Sequence, residues 1–324
     1  MAITKIKDLI IPEIVSEVAS AVIVEKTALI KSGVATGDYN NVGIREGGEF
    51  IKVPFWSELT GDDEVISDAE NWSLTPDKIT QYEDIGVICH RGKAWSSAEL
   101  AAIVSGSDPT KAVGEQLGNY WAKRYDAALI SVLKGALPST HINDISQQTD
   151  GQPPVEATIE ALIDTMGLLG DNANEFTTII MHSKVYNDFL KQGLIQFGQT
   201  NLSNVILENG EIPTLLGRRV IVSDNVPVES YKVGNSTYKK YTTYIAQNGA
   251  MYLGFQRELM TETDRDILAF RDYLSTQVHF CPHLRGVKWA TTKTNPDNAT
   301  LAKSANWQKI YPDKAIRVVA LKSN

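Results

Sequence analysis

Two histidines and a cysteine stand at alternate positions late in the chain, in the sequence His279-Phe-Cys281-Pro-His283. In an extended strand the three side chains would share one face, because successive side chains of a strand point to opposite faces. Imidazole and thiolate groups are ligands that suit zinc. A second predicted strand carries Cys89-His90, which could add a fourth ligand. The candidates for a metal site are therefore His279, Cys281 and His283.

The same cluster also has a purely structural interpretation, which we favour. Its spacing is unlike that of known zinc modules, and Pro282 distorts the shared face of the strand. Buried cysteine and partly buried histidine are common inside folded proteins. We therefore expect no bound metal and no cofactor. A soluble α+β enzyme that uses this metal cluster remains an alternative function.

Signatures of catalysis are missing from the rest of the sequence. The chain has no G-x-x-x-x-G-K-[ST], G-x-S-x-G or H-E-x-x-H pattern, and no G-x-G-x-x-G follows a predicted strand. Acidic pairs such as Glu83-Asp84 occur, but nothing in the sequence places two carboxylates face to face in a cleft. We therefore predict no catalytic residues and a protein that is not an enzyme.

Composition and charge indicate a folded protein that does not wrap nucleic acid tightly. The chain has 324 residues, of which 43% are hydrophobic and 22% are charged, as in ordinary globular proteins. Its 31 basic and 39 acidic residues give a net charge of −8, whereas affinity for phosphates comes from lysine and arginine. The two cysteines are too few for a disulfide framework. No signal peptide or membrane span is predicted, so we expect synthesis in the cytoplasm.

The first predicted element is an amphipathic helix near the N-terminus. Pro12 suits a first helical residue, Val15, Val18 and Val22 follow at helical spacing, and Gly33 ends the pattern. This helix would be roughly 30 Å long at 1.5 Å per residue. Its apolar stripe needs a surface to dock on, either the chain's own core or a neighbouring subunit.

A predicted arm follows, made of two extended runs about 20 residues apart. The first run, EFIKVPFW, carries Phe50, Phe55 and Trp56, and the second extends over residues 78–95. The long stretch between them is acidic and hard to bury, so it should project from the fold. Trp72 lies in this polar stretch, and an exposed aromatic there would suit an anchor for a partner.

The remaining sequence predicts a long helix followed by a compact α/β region. Pro109 suits the first turn of the helix, and Gly135 stands where a residue just past its end is expected. Further helices are predicted over 155–169 and over 183–191, the second with Ser183 as its cap. Two strands around Asn248-Gly249 read as a hairpin, since Asn-Gly is the strongest short turn signal. The mixture predicts an α+β fold with two subdomains.

This order of elements resembles the major capsid proteins of tailed bacteriophages, of the Hong Kong 97 type. The segments that carry the resemblance are the helix from Pro109, the stretch Thr214–Pro227 that opens with TLLGR, and the stretch Arg257–Trp289. The resemblance implies an N-terminal arm, an extended E-loop, a P-domain with a spine helix, and an A-domain near five-fold and six-fold axes. The implied segments are the N-arm 1–48, the E-loop 49–95, the P-domain 96–149 and 257–324, and the A-domain 150–256.

The function implied by the resemblance is structural. The chain would assemble with itself, as pentamers and hexamers, into an icosahedral or prolate shell around double-stranded DNA that it contacts weakly and non-specifically. Scaffolding, portal and decoration proteins are the other implied partners, with no membrane. The protein would occupy the virion capsid, and the host cytoplasm during assembly. The assembly contacts that we expect are Val15, Val18, Val22, Phe50, Phe55, Trp56 and Trp72. An encapsulin-like nanocompartment shell, which packages a cargo enzyme, is the alternative with the same fold.

Overall fold

The structure is a computed structural model that combines helices with two main sheets. It describes residues 19, 27–37, 48–56, 63–66, 73–76, 78–79, 81–98, 109–146, 155–197, 213–233, 236–266 and 271–324. The predicted contacts Val15, Val18, Val22 and Trp72 lie outside these residues. The α-helices described are α1 (Ala28–Lys31), α2 (Pro109–Ala136), α3 (Ile159–Gly167), α4 (Ser183–Lys191) and α5 (Asn298–Leu301).

The described strands are distributed along the chain from Ala35 to Ser323. In order they are β1 (Ala35–Thr36), β2 (Phe50–Trp56), β3 (Gln81–Val87), β4 (Cys89–Ala98), β5 (Ile142–Asp144), β6 (Thr178–Met181), β7 (Gln196–Phe197), β8 (Pro213–Leu215), β9 (Arg218–Val222), β10 (Val228–Val233), β11 (Ser236–Ala246), β12 (Met251–Asp266), β13 (Arg271–Leu284), β14 (Val287–Trp289), β15 (Trp307–Lys309) and β16 (Val318–Ser323). The observed mixture of helices and strands agrees with the α+β prediction.

Two sheets form the body of the protein. The smaller has the order β1-β12-β13-β4, with a long antiparallel hairpin of β12 and β13 at its centre. The larger has the order β5-β16-β11-β6-β9-β8-β7, and β10 pairs with β11. The strand β16 comes from the segment 257–324, so this segment supplies strands to both sheets. Separately, β2 and β3 form a two-stranded antiparallel ribbon. Residues 50–87, which begin and end with these two strands, are called the arm.

The long helix α2 packs its apolar face on the smaller sheet. Trp121, Tyr125 and Leu129 are buried, the Tyr125 ring meets the Phe280 ring edge-on at 5.0 Å, and Trp121 donates a hydrogen bond of 3.3 Å to Thr276. Each large apolar side chain buried in this way contributes about 1.5–3 kcal/mol relative to exposure. In the described part of the chain, no helix is long and apolar enough to cross a membrane.

The end of α2 differs from the prediction at Gly135. This glycine lies inside the helix, which continues to Ala136. A Cβ atom on Gly135 would lie 2.1 Å from the carbonyl oxygen of Leu301 in α5, which is closer than real Cβ atoms approach. The glycine is therefore explained by the close approach of the α5 backbone, and not by the end of the helix.

The short helices α3 and α4 cover one face of the larger sheet. Helix α3 begins at Ile159, later than predicted, because Thr158 caps it by accepting a hydrogen bond from the backbone N–H of Ala161. Helix α4 begins at Ser183, and its cap is His182, whose Nδ1 accepts from the N–H of Lys184. Histidine is an uncommon cap, so the sequence pointed to the neighbouring serine instead.

The predicted hairpin around Asn248-Gly249 is wrong. The turn exists, with Gly249 at φ +67°, but β11 and β12 belong to different sheets. Both edges of β11 near the turn are occupied, since it pairs with β6 on one side and β16 on the other. The chain leaving the turn pairs with β1, and the N–H of Gly249 donates to the carbonyl of Gly33. The turn therefore joins the two sheets.

Candidate assembly surface

The candidate metal ligands do not converge on one site. His279, Cys281 and His283 do lie on one strand, β13, but each has a different environment. The His279 ring faces His90 of β4 at 4.2 Å between centroids, and its Nε2 lies 2.9 Å from Gln277. Burial, then the nearby His90 and Arg257, lower the pKa of His279. Among the residues that the structure describes, no three His, Cys, Asp or Glu side chains are placed to hold a metal.

Both cysteines are buried thiols. Burial raises the pKa of Cys89 to about 11, despite the nearby Arg91 guanidinium. Burial also raises the pKa of Cys281, and the side chains of Cys89 and Asp84 add to the effect. Because the thiolate is the form that attacks substrates and binds metals, neither group is poised for such chemistry near pH 7. The cysteines serve as apolar packing residues.

His283 instead ties the base of the arm to the smaller sheet. Its Nε2 lies 2.8 Å from Oδ1 of Asp84 on β3, and both side chains are buried. The other Asp84 oxygen accepts a hydrogen bond of 3.3 Å from the N–H of Gly286. Burial alone would raise the pKa of Asp84, but His283, the Gly286 N–H and Arg285 together hold it below its ordinary value.

We expect this pair to contribute to the acid sensitivity of the fold. A carboxyl whose pKa is depressed by folding stabilises the folded state above its unfolded pKa of about 3.9, and this stability is lost as pH falls through the folded pKa. The Asp84→Asn variant lacks the titrating group. Urea unfolding measured from pH 7 down to pH 3 should therefore show a gap between wild type and variant that narrows in acid. Glu115→Gln, at an exposed site on α2, should track wild type. Parallel profiles of Asp84→Asn and wild type would contradict the role assigned to Asp84.

The arm itself is the main exposed apolar feature of the described residues. Its strands pair in continuous register from Phe50 opposite Val87 to Trp56 opposite Gln81. At its base, Phe50 is half-buried against the chain's own core, so this predicted contact is used within the subunit. Farther out, 67% of the Trp56 surface is exposed, and its role as an assembly contact stays a prediction. Phe55 lies in β2 between them.

Beyond the ribbon, the arm exposes aliphatic residues that the sequence analysis missed. Val65 is 86% exposed and Ile66 is 77% exposed, and Leu74 and Ile79 are also largely exposed. Both Glu64 carboxylate oxygens lie 3.3 Å from the backbone N–H of Thr75, which connects the outgoing and returning chains. The sequence did contain a signal for this exposed surface, the adjacent pair Val65-Ile66 within the acidic stretch. Exposed apolar surface of this kind is typical of a protein–protein contact.

Comparison with known proteins identifies the family of the chain that carries this arm. A sequence model described as major capsid protein 13-like matches residues 43–316. The major capsid protein of Bacillus phage SPP1 is 36% identical over 329 residues, which cover 99% of this chain and 98% of that protein. The chain belongs to the major capsid protein 13-like family. Its resemblance to phage major capsid proteins, noted in the sequence, is thereby confirmed.

Solved structures share the fold of this capsid protein. The capsid of Ralstonia phage GP4 superposes with a TM-score of 0.61 at 11% identity, covering 93% of this chain and 90% of that one. The capsid of a native GTA particle gives a TM-score of 0.55 at 12% identity, covering 92% and 90%. The family match, rather than this shared fold, makes the chain a structural protein, the major capsid protein of a tailed phage, whose place is the capsid of the virion.

Proposed function

We propose that the capsid protein assembles, through pentamers and hexamers, into an icosahedral or prolate shell of the Hong Kong 97 type that encloses double-stranded DNA. The arm is the observation that carries this proposal. An isolated two-stranded ribbon is marginally stable in water. The arm exposes Trp56 on this ribbon, and Val65 and Ile66 beyond it. A neighbouring copy that covers these side chains would stabilise both partners. In a closed symmetric assembly the same contact is repeated at every subunit.

The segments of the proposed fold follow the resemblance. We assign residues 1–48 to the N-arm, 49–95 to the E-loop, 96–149 and 257–324 to the P-domain, and 150–256 to the A-domain. Two features support this assignment: the ribbon β2–β3 lies within the E-loop segment, and α2 packs on the sheet built largely from β12 and β13. Strands β5 and β16 cross this division, since they come from the segments assigned to the P-domain but pair in the larger sheet, whose other strands come from the A-domain segment.

The proposed partners and location follow from a non-enzymatic shell. With a net charge of −8, the inner surface would contact packaged DNA weakly and non-specifically. Scaffolding, portal and decoration proteins would bind the shell during or after assembly, which takes place in the host cytoplasm, and no membrane takes part. Purified particles should accordingly contain nuclease-resistant double-stranded DNA, whereas a single enzyme cargo would favour the nanocompartment alternative.

Charged substitutions on the arm test the proposed assembly. Val65 and Ile66 are so exposed in the subunit that the Val65→Asp/Ile66→Asp variant should fold normally. Covering each side chain on a neighbour is worth about 1.5–3 kcal/mol, and each 1.4 kcal/mol is tenfold in affinity. We therefore expect the variant to keep its circular dichroism spectrum and to form no closed particles in negative-stain electron microscopy.

A matched variant keeps the apolar character of the same two positions. Val65→Ile/Ile66→Val should form particles as wild type does. Closed particles from the aspartate variant would overturn the proposed role of the arm. A wild-type chain that forms no particles, even when its neighbouring genes are expressed with it, would overturn the shell itself.

A further inference from the structure

The outer side of α3 carries a groove that the arm does not use. It has a volume of about 450 Å³ and lies between α3 and the edge strand β5 of the larger sheet. Val155 and Leu168 line it and are more than a third exposed. Glu156, Glu160 and Asp164 line the same groove, so its character is both apolar and acidic.

The three carboxylates are spaced four residues apart in the sequence and line the same groove. All are exposed, and within the described part of the chain no lysine, arginine or histidine lies at ion-pair distance from them. Glu160 and Asp164 lie one turn apart on α3, whereas Glu156 precedes the helix. Like charges four residues apart on a helix destabilise it by roughly 0.2–0.5 kcal/mol. A cationic, apolar partner would remove this repulsion and cover the exposed aliphatic side chains.

The chain itself contains a segment of that chemistry. Residues 1–11, MAITKIKDLII, combine Lys5 and Lys7 with isoleucine and leucine, and they precede the residues that the structure describes. Ala19 is buried in the core around α2, which includes Ile180 and Val318 of the larger sheet. Helix α3 packs in the other core, with Ile179 and Val319. Neighbouring residues of a strand point to opposite faces, so Ala19 and α3 lie on opposite sides of this sheet.

We propose that residues 1–11 of a second copy dock in the groove along α3, with Lys5 and Lys7 facing its carboxylates. A second copy is favoured over the same chain, because Ala19 of the same chain is buried in the core on the other side of the larger sheet from α3. This inference rests on the proposed shell, in which every subunit has neighbours. It assigns an acceptor surface to the N-terminal segment.

Cross-linking between two full-length chains tests the docking directly. One chain carries Ile6→Cys and the other carries Leu168→Cys, which lines the groove. The native cysteines are buried, so the introduced thiols are the accessible ones. After assembly of the mixed chains, a short bismaleimide should yield the mixed dimer on a denaturing gel. Leu190→Cys, an exposed position on α4 of the same sheet face, is the matched control and should yield at least about tenfold less dimer.

Charge reversal tests the chemistry of the contact. Glu160→Lys/Asp164→Lys on the acceptor chain should reduce mixed-dimer yield at least about tenfold, because like charges across an interface are costly. Lys5→Glu/Lys7→Glu on the donor chain should restore it. Particles that form normally with equal cross-linking in all variants would overturn this inference and leave the shell intact. Cross-linking of a single chain carrying both cysteines, when it is diluted and unassembled, would show docking within one chain and also overturn it.

Discussion

Gly135→Ala is expected to destabilise the capsid protein strongly, although alanine is the better helix former. In an open helix site this change would stabilise by about 0.5–1 kcal/mol. Here the new Cβ would lie 2.1 Å from the Leu301 oxygen and 2.9 Å from the backbone carbon of Ala302. Moving α5 away would also disturb the 2.8 Å hydrogen bond that Trp307 donates to Leu301. Overpacking of this kind costs about 1–3 kcal/mol or more, and urea unfolding measures it.

Gly167→Ala provides the matched control for this prediction. Gly167 is the last residue of α3, and a Cβ atom there would meet nothing within 4 Å. This variant should unfold at the wild-type urea concentration or slightly above it. An unfolding midpoint of Gly135→Ala equal to that of wild type would contradict the close contact between α5 and α2.

Asp84→Ala is expected to cost about 1–3 kcal/mol for each of the two buried donors that lose their acceptor. The substitution leaves His283 buried without its carboxylate and removes the acceptor of the Gly286 N–H. Because Asp84 lies on β3, the loss should loosen the base of the arm first. The free energy of unfolding in urea gives the total cost, and protease cleavage between residues 57 and 80 reports on the arm.

The neighbouring Glu83 provides a control on the same strand. Glu83 and Lys52 form an ion pair of 3.3 Å in which both side chains are largely exposed, so Glu83→Ala should cost less than about 1 kcal/mol. A double-mutant cycle with His283→Ala isolates the interaction between Asp84 and His283. Additive single effects would show that the two side chains stabilise the fold independently.

The long elements were predictable from local sequence signals. Proline in the first turn of α2 and an unbroken apolar stripe identify a helix without knowledge of its neighbours. The two runs of the arm were predictable because their apolar content rises between polar stretches. The second run, however, contains the boundary between β3 and β4 at Ile88, and nothing local marks it. Strand β3 pairs with β2, whereas β4 pairs with β13. This change of partner depends on strands that are distant in the sequence.

Other features depended on contacts that the sequence does not display. Asn248-Gly249 forms a turn, but whether the flanking strands pair is decided by β6, β16 and β1, which come from distant parts of the chain. Similarly, the alternation around Cys281 placed three candidate ligands on one face, but the strands that pack against this face decide the environment of each side chain. Gly86 of β3 packs there, since a Cβ on it would lie 2.7 Å from the Cys281 sulfur.

The direct passage of β3 into β4 has a mechanical consequence. Only Ile88 separates the arm from a strand that pairs with β13 over ten successive positions, from Phe280 opposite Cys89 to Arg271 opposite Ala98. A pull on the arm therefore travels along the covalent backbone and loads this ladder in shear, so that many hydrogen bonds share the tension at once. In a particle under internal pressure, each arm would carry tension from the neighbouring subunit that it contacts to the body of its own subunit.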